Sequence, residues 1–177
     1  MPDEEPEAAV ARAVESGTDA IVVPEELLAE AEEKPGSPSP SPPESLWARV
    51  GTMDMAEKIK LALRGNKDAR TILVRDTNRV IRRLVLQNPR MTDQEALAVA
   101  RNRNVDDELI RIIAVRRDWM RNYQVRLALA TNPKTPVTIA MRQLSSLAER
   151  DLRQLAKSRN VPDAVSSQAR RMVLSHG

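Results

Sequence analysis

Apolar residues recur at helical spacing along most of the chain after residue 50. Leu109, Ile112 and Ile113 are typical, because positions i, i+3 and i+4 lie on one face of an α-helix. Stretches of this kind predict about nine helices, over residues 53–64, 67–75, 78–87, 92–101, 106–117, 121–131, 136–145, 148–158 and 163–174. The connections between them are two to five residues long, which favours antiparallel neighbours.

Asparagines recur in the breaks between the predicted helices. Asn104, Asn132 and Asn160 are spaced by 28 residues, and Asn66 and Asn88 by 22 residues. Imperfect repeats of about 20–50 residues are typical of stacked helical units. We therefore predict an all-α fold, a right-handed stack of about nine short antiparallel helices.

The ends of the predicted helices carry recognisable signals. Gly65, Asn104 and Asn160 tolerate the left-handed conformation that ends many helices. Thr92 with Glu95, and residues 146–149, match the capping box that starts a helix. We expect helices to end and to begin at these positions.

The first 45 residues have a different composition. They contain twelve acidic and two basic residues, a charge of −10, whereas residues 46–177 have a charge of +13. Residues 35–43 are rich in proline and serine, which predicts an extended linker. We expect residues 1–45 to be an acidic disordered tail and linker, and residues 46–177 to be a basic helical-repeat domain.

The acidic tail has two interpretations. It is either a solubilising segment or a docking segment that places Leu27, Leu28 and Ala31 on one helical face. The opposite charges of the tail and the domain also suggest that residues 1–34 fold back on a basic surface and compete with its partner.

Composition argues against most catalytic chemistry. The chain has no cysteine, its one histidine is His176, and its five glycines form no phosphate-binding loop. We therefore predict no catalytic residues, no metal site, no cofactor and no small-molecule substrate. The acidic N-terminus is unlike a signal peptide and there is no run of 18 apolar residues, so we expect a cytoplasmic protein without a membrane span.

Arginine is the remaining candidate for chemistry. Residues 46–177 contain 21 arginines and five lysines, and arginine is suited to binding phosphate and carboxylate. The candidate partner-binding face consists of Arg79, Arg82, Arg83, Arg116, Arg117 and Arg121. The alternative is that these arginines only form solvated surfaces. Trp119 and Tyr123, spaced i and i+4, are either a core anchor or a platform for stacking bases.

At residues 126–136 the chain resembles helical repeats of the HEAT and leucine-rich-repeat-variant kind, and residues 84–92 echo the same phrase. The resemblance implies an α-solenoid, although the unequal repeat lengths depart from the family. Residues 60–67 are also similar to a phrase found in a group of bacterial proteins, which implies no known activity.

The function expected from these features is a non-enzymatic adaptor or scaffold that binds an acidic protein partner through its arginine-rich face. A nucleic-acid-binding module using that face on phosphates is the alternative, because the domain is strongly basic. Contact with anionic lipid has less support, since no basic amphipathic helix with exposed large apolar residues is evident. The oligomeric state is left open.

Overall fold

A computed structural model describes residues 5–30 and 42–175 of the chain. Ala31, most of the proline-rich linker and His176 therefore lie outside the described residues. The described residues form α-helices and a short 3₁₀ turn at Glu25–Leu27, with no β-strand among them. The all-α class is thus confirmed. The chain divides into two compact units, Met1–Met91 and Thr92–Gly177, here called the N-terminal and C-terminal units.

The N-terminal unit has five α-helices in its described part. They are α1 (Pro6–Ser16), α2 (Glu44–Gly51), α3 (Met55–Arg64), α4 (Lys67–Leu73) and α5 (Arg79–Val85). The C-terminal unit has seven in its described part. They are α6 (Asp93–Arg101), α7 (Asp107–Val115), α8 (Arg117–Arg121), α9 (Tyr123–Thr131), α10 (Val137–Leu144), α11 (Glu149–Lys157) and α12 (Asp163–Ser175).

Each of the nine predicted helices overlaps one of these helices, and the bounds differ by at most two residues. The predicted number is too low because α1 and α2 also form, and because the short helix α8 separates α7 from α9. The two compact units divide after Met91, so the expected domain boundary after residue 45 does not coincide with that division. The right-handed solenoid arrangement stays a prediction.

Residues 5–30 differ from the disordered tail expected there. They form α1 and the 3₁₀ turn, and α1 packs against α3. The physical reason is that this acidic segment carries apolar residues that reach the core, since Val14 and Leu27 are almost completely buried. Helix α1 ends at Ser16 and is followed by Gly17, whose φ of 72° suits glycine.

The core of the C-terminal unit contains one of the two tryptophans. Trp119 is 3% exposed, which confirms its interpretation as a core anchor. Tyr123 is partly buried, its hydroxyl bonds to the carboxylate of buried Asp151, and it accepts a hydrogen bond from the amide of Ala148 at 3.0 Å. Burial first, and then the bond to Asp151, raise the pKa of Tyr123.

The helix-start predictions are partly correct. Thr92 and Glu95 form the predicted capping box at the start of α6. A second capping box, which the sequence analysis missed, joins Asp54 and Glu57 at the start of α3. The capping box predicted at residues 146–149 is wrong, because Ser146 donates its hydroxyl to the preceding turn and α11 begins after Ala148.

The predicted left-handed helix ends are also wrong. Gly65 has a φ of −64°, and neither Asn104 nor Asn160 has a positive φ. Among the described residues only Gly17 does. The requirement for glycine at position 65 is steric, since an added Cβ would lie 2.3 Å from the carbonyl oxygen of Leu61.

Two buried asparagines, Asn88 and Asn132, form the same hydrogen bonds in the two units, and we call them the helix-end asparagines. The Nδ2 of Asn88 donates to the carbonyls of Ala62 (2.9 Å) and Gly65 (3.2 Å), at the end of α3. The Nδ2 of Asn132 donates to the carbonyls of Ala100 (2.7 Å) and Asn102 (2.9 Å), at the end of α6. Each asparagine therefore ties a later turn to the end of an earlier helix.

The neighbouring residues repeat this similarity. Asn78 and Asn122, each ten residues before a helix-end asparagine, cap α5 and α9 with their side chains. Four residues after each cap, Arg82 and Arg126 donate to carbonyls six residues earlier, at 3.0 and 2.9 Å. Residues 78–90 and 122–134 thus share one local structure, 44 residues apart. Asn104, by contrast, is exposed.

Candidate functional site

The segment of residues 5–30, which we call the N-terminal segment, is bound by polar side chains of the same unit. These side chains come from α3, from the start of α4 and from the turn after α5. They are Lys60, Arg64, Asn66, Arg70 and Arg90, and we call them the basic groove. Each of them donates hydrogen bonds to main-chain or carboxylate oxygens of residues 14–30.

Asn66 makes the densest set of contacts in the basic groove. Its main-chain amide donates to the carbonyl of Leu27 at 2.7 Å, and its Nδ2 donates to the carbonyls of Glu26 (2.7 Å) and Ala29 (2.9 Å). Its Oδ1 accepts from the amide of Ala69, which caps α4 and fixes the side chain. Asn66 therefore binds the main chain of the 3₁₀ turn on both sides of Leu27, which is 1% exposed.

Carboxylates of the N-terminal segment meet basic groups on either side of that turn. The Nη1 of Arg70, a residue only 3% exposed, lies 2.6 Å from the Oε1 of Glu30. The Oε2 of Glu30 accepts from the amide of Lys67 at 3.1 Å. At the other end, the Nζ of Lys60 lies 2.6 Å from the Oδ1 of Asp19, and this hydrogen bond is the largest of the effects that lower the pKa of Asp19.

Two arginines of the groove hold further carbonyls. The Nε of Arg64 donates to the carbonyl of Val14 at 2.9 Å, and the Nη1 of Arg90 donates to that of Leu28 at 2.7 Å. A cleft of about 380 Å³ lies beside them; its lining includes Leu63 and Gln87. These two arginines thus bind main-chain atoms of the segment, and this binding does not depend on which side chains the segment carries.

The charges explain why the segment lies on this surface. Residues 46–91 contain eleven basic and four acidic residues, whereas residues 1–45 have a charge of −10. Arg49 and Glu26 also form an ion pair, with both side chains more than half exposed. Oppositely charged parts of one unit are therefore in direct contact.

Comparison of the two units separates the groove side chains from those of the shared local structure. The C-terminal unit has the capping asparagine, the arginine and the helix-end asparagine of that shared structure. When α6 is aligned with α3 by their capping boxes, Lys60 and Arg64 correspond to Ala98 and Asn102. The fourth residue of α4 is Arg70, and the fourth residue of α7 is Ile110. The basic groove is therefore an addition to the shared helical framework.

The predicted arginine face is distributed over both units. Arg79, Arg82 and Arg83 are on α5 in the N-terminal unit, where Arg82 is committed to the carbonyl of Asp76. The other three predicted residues, Arg116, Arg117 and Arg121, are at α8 in the C-terminal unit.

The guanidinium of Arg116 lies 4.4 Å from the ring centre of Trp119. Arg117 is exposed, and the side chain of Arg121 is 84% exposed with a long 4.0 Å contact to Asp118. Arg117 and Arg121 therefore present their charge to solvent.

The predicted docking segment lies in the basic groove. Leu27 is buried and Leu28 is partly buried, while Ala31 lies outside the described residues. The groove residues were not predicted from the sequence, although four of them follow a visible signal: Lys60, Arg64 and Asn66 occur in the phrase at residues 60–67, and Arg70 follows it closely.

Within residues 5–30 and 42–175, no group of three histidine, cysteine or acidic side chains is placed to hold a metal ion. In the same part of the chain, every helix is too short or too polar to cross a bilayer. Comparison with known proteins gives no match: no family model, no curated protein sequence and no solved structure is significantly similar to the chain.

Proposed function

We propose that the chain is a non-enzymatic helical-repeat adaptor that binds an acidic segment of a partner protein. The observation that supports this proposal is the acidic N-terminal segment on the basic groove. There, side chains of short helices bind both the carboxylates and the main-chain carbonyls of a peptide, which is the chemistry that an acidic protein partner requires.

We propose two arginine clusters as partner-binding surfaces, one in each unit: the arginines flanking α8 and those of α5. Arg117 and Arg121 supply exposed charge, and Arg116 is stacked on Trp119, an arrangement that restrains a guanidinium. On α5, Arg79 and Arg83 are exposed, whereas Arg82 supports the preceding loop.

A protein partner is favoured over nucleic acid by the aromatic residues. Proteins commonly bind single-stranded nucleic acids by stacking the bases on exposed aromatic rings. Trp119 is buried, Trp47 and Tyr123 are partly buried, and the hydroxyl of Tyr123 is bonded to Asp151 and Ala148. Phosphate binding by the arginines alone is the alternative that the experiment must distinguish.

The test is fluorescence anisotropy of the full chain with a labelled acidic peptide and with labelled duplex DNA, from about 50 to about 300 mM salt. We expect the peptide to bind more tightly than the DNA at the higher salt concentration. DNA binding that is tighter than peptide binding would instead indicate a nucleic-acid-binding module, provided that the logarithm of the DNA binding constant falls linearly with the logarithm of the salt concentration with a slope of several.

A pair of double variants locates the face. Arg117→Ser with Arg121→Ser should weaken peptide binding about tenfold, equivalent to about 1.4 kcal/mol. The control is Arg159→Ser with Arg171→Ser, which removes the same charge from two exposed residues outside the face. Equal losses in the two double variants would show that net charge, and not this face, controls binding.

A further inference from the structure

The basic groove has the properties of a peptide-binding site whose occupant is the chain's own segment. We propose that residues 26–30, Glu-Leu-Leu-Ala-Glu, are an internal ligand, and that a partner protein presenting an acidic Leu-x-x-Glu peptide displaces them. The inference rests on the proposed function for the acidic nature of the partner, but it uses a different surface from the arginines of α5 and α8.

The contacts define what the groove recognises. Asn66 binds the main chain of residues 26, 27 and 29 and therefore fixes the path of the peptide without selecting side chains. Leu27 is the one buried side chain in this stretch. Three residues later, the carboxylate of Glu30 meets Arg70 and the amide of Lys67. The recognised features are a leucine and a carboxylate three residues after it.

The positions between the leucine and the carboxylate, residues 28 and 29, tolerate different side chains. Ala29 is exposed and Leu28 is partly buried, so different side chains fit there. The Glu26 side chain contributes an ion pair with Arg49, and exposed ion pairs of this kind are weak. The sequence requirement is therefore short, and an unrelated protein can satisfy it.

The attachment of the segment allows displacement. In residues 5–30 only Val14 and Leu27 have fully buried apolar side chains, whereas α3 alone contributes four buried residues to the core. Eleven residues rich in proline and serine separate Glu30 from Pro42, and proline-rich segments act as spacers between binding elements. The C-terminal unit also shows that a helix in the position of α3 does not require these groove side chains.

The experiment uses the full chain with a protease recognition sequence inserted between residues 34 and 42. A fluorescent peptide with the sequence of residues 18–32 is titrated into the protein before and after cleavage, and anisotropy is measured. The tethered segment competes at a high effective concentration before cleavage, so we expect the apparent affinity to rise at least tenfold when the tether is cut.

Matched variants connect the binding to the groove. Asn66→Ala in the cleaved protein should abolish peptide binding, whereas Asn104→Ala, an exposed asparagine of the C-terminal unit, should leave it unchanged. A peptide carrying Leu27→Ala or Glu30→Gln should bind at least tenfold more weakly than the original. Because Arg117→Ser with Arg121→Ser leaves the groove intact, that double variant should bind this peptide normally, and failure of the α8 face would not imply failure of the groove.

Three results would overturn the proposal. One is a cleaved protein that keeps its circular dichroism spectrum but does not exchange the segment for labelled peptide. Another is loss of helical signal on cleavage and dilution, because the segment would then be an integral part of the unit. The third is a dimer in size-exclusion chromatography that disappears with Leu27→Asp, because the occupant would then be the segment of a second copy.

Discussion

Replacing a helix-end asparagine with alanine tests the shared local structure of the two units. Asn88 is fully buried, and its side chain makes three hydrogen bonds: two from Nδ2 to carbonyls at the end of α3, and one from the amide of Arg90 to Oδ1. A typical hydrogen bond contributes about 1 kcal/mol net, and a buried group left without its partner costs more. We expect Asn88→Ala to lower the free energy of unfolding by about 3 kcal/mol.

The measurement is urea unfolding followed by far-UV circular dichroism. With a urea m-value of about 1–3 kcal/mol/M, the expected loss lowers the midpoint by about 1–3 M. Asn132→Ala should behave similarly, since it removes the equivalent three bonds in the C-terminal unit. Hydrogen exchange should then show faster amide exchange near α3 for Asn88→Ala and near α6 for Asn132→Ala.

The control variants are Asn104→Ala and Asn160→Ala. These asparagines share the regular 28-residue spacing with Asn132, but both are exposed. Each should change stability by less than about 0.5 kcal/mol. A loss of less than about 1 kcal/mol for Asn88→Ala, or an equal loss for a control variant, would refute the inference that the buried side-chain bonds carry the stabilisation.

Three further predictions concern single residues. Gly65→Ala should destabilise the N-terminal unit by about 1–3 kcal/mol in thermal unfolding because its Cβ meets backbone, whereas Gly51→Ala, with open space around the position, should be neutral or slightly stabilising. The absorbance titration of Tyr123, the only tyrosine, should give a pKa above the ordinary value near 10. The contribution of Tyr123 to stability is therefore present below pH 10 and lost as pH rises through the folded-state pKa. A titration at the ordinary value would contradict the burial of Tyr123 and its bond to Asp151. For Asp19 the pKa is lowered, so its contribution is present above pH 3.8 and lost as pH falls through the folded-state pKa; Asp19→Asn should remove this part of the acid dependence of unfolding.

The helices of the chain follow from its apolar periodicity, because burial of one face determines where a helix forms. The nine predicted stretches became helices since their aliphatic residues face a core, and Ile59, Ile113 and Leu129 are all fully buried. Periodicity predicted a break at residues 118–120 but not the short helix α8 that occupies it, because Trp119 is the one buried residue among its five.

The regular spacing of the asparagines did not predict which of them have the same structural role. Regular spacing grouped Asn132 with Asn104 and Asn160, whereas the buried hydrogen bonds group it with Asn88. The Asn-Pro pairs at 88 and 132 were visible in the sequence, but the carbonyls that receive their side chains are 26 and 32 residues away. Such long-range pairing is not a property of local sequence.

The basic groove depended on the same kind of long-range contact. Composition identified the acidic N-terminus and the basic domain, and it suggested that they meet. It directed attention to clustered arginines, whereas the contacts that form use Lys60, Asn66 and Arg70, which are spread over two helices and the turn between them. Burial of Leu27 made the difference, since an isolated acidic segment has little reason to be ordered.

The proline that follows each helix-end asparagine has a consequence for the chemical ageing of the protein. Asparagine deamidates when the nitrogen of the next residue attacks the side-chain carbonyl and closes a five-membered imide. In Asn88 and Asn132 that nitrogen belongs to Pro89 and Pro133; it carries no hydrogen and cannot form the imide. The two side chains that join the ends of α3 and α6 to later turns are therefore protected against the spontaneous reaction that would replace a donor amide with a carboxylate.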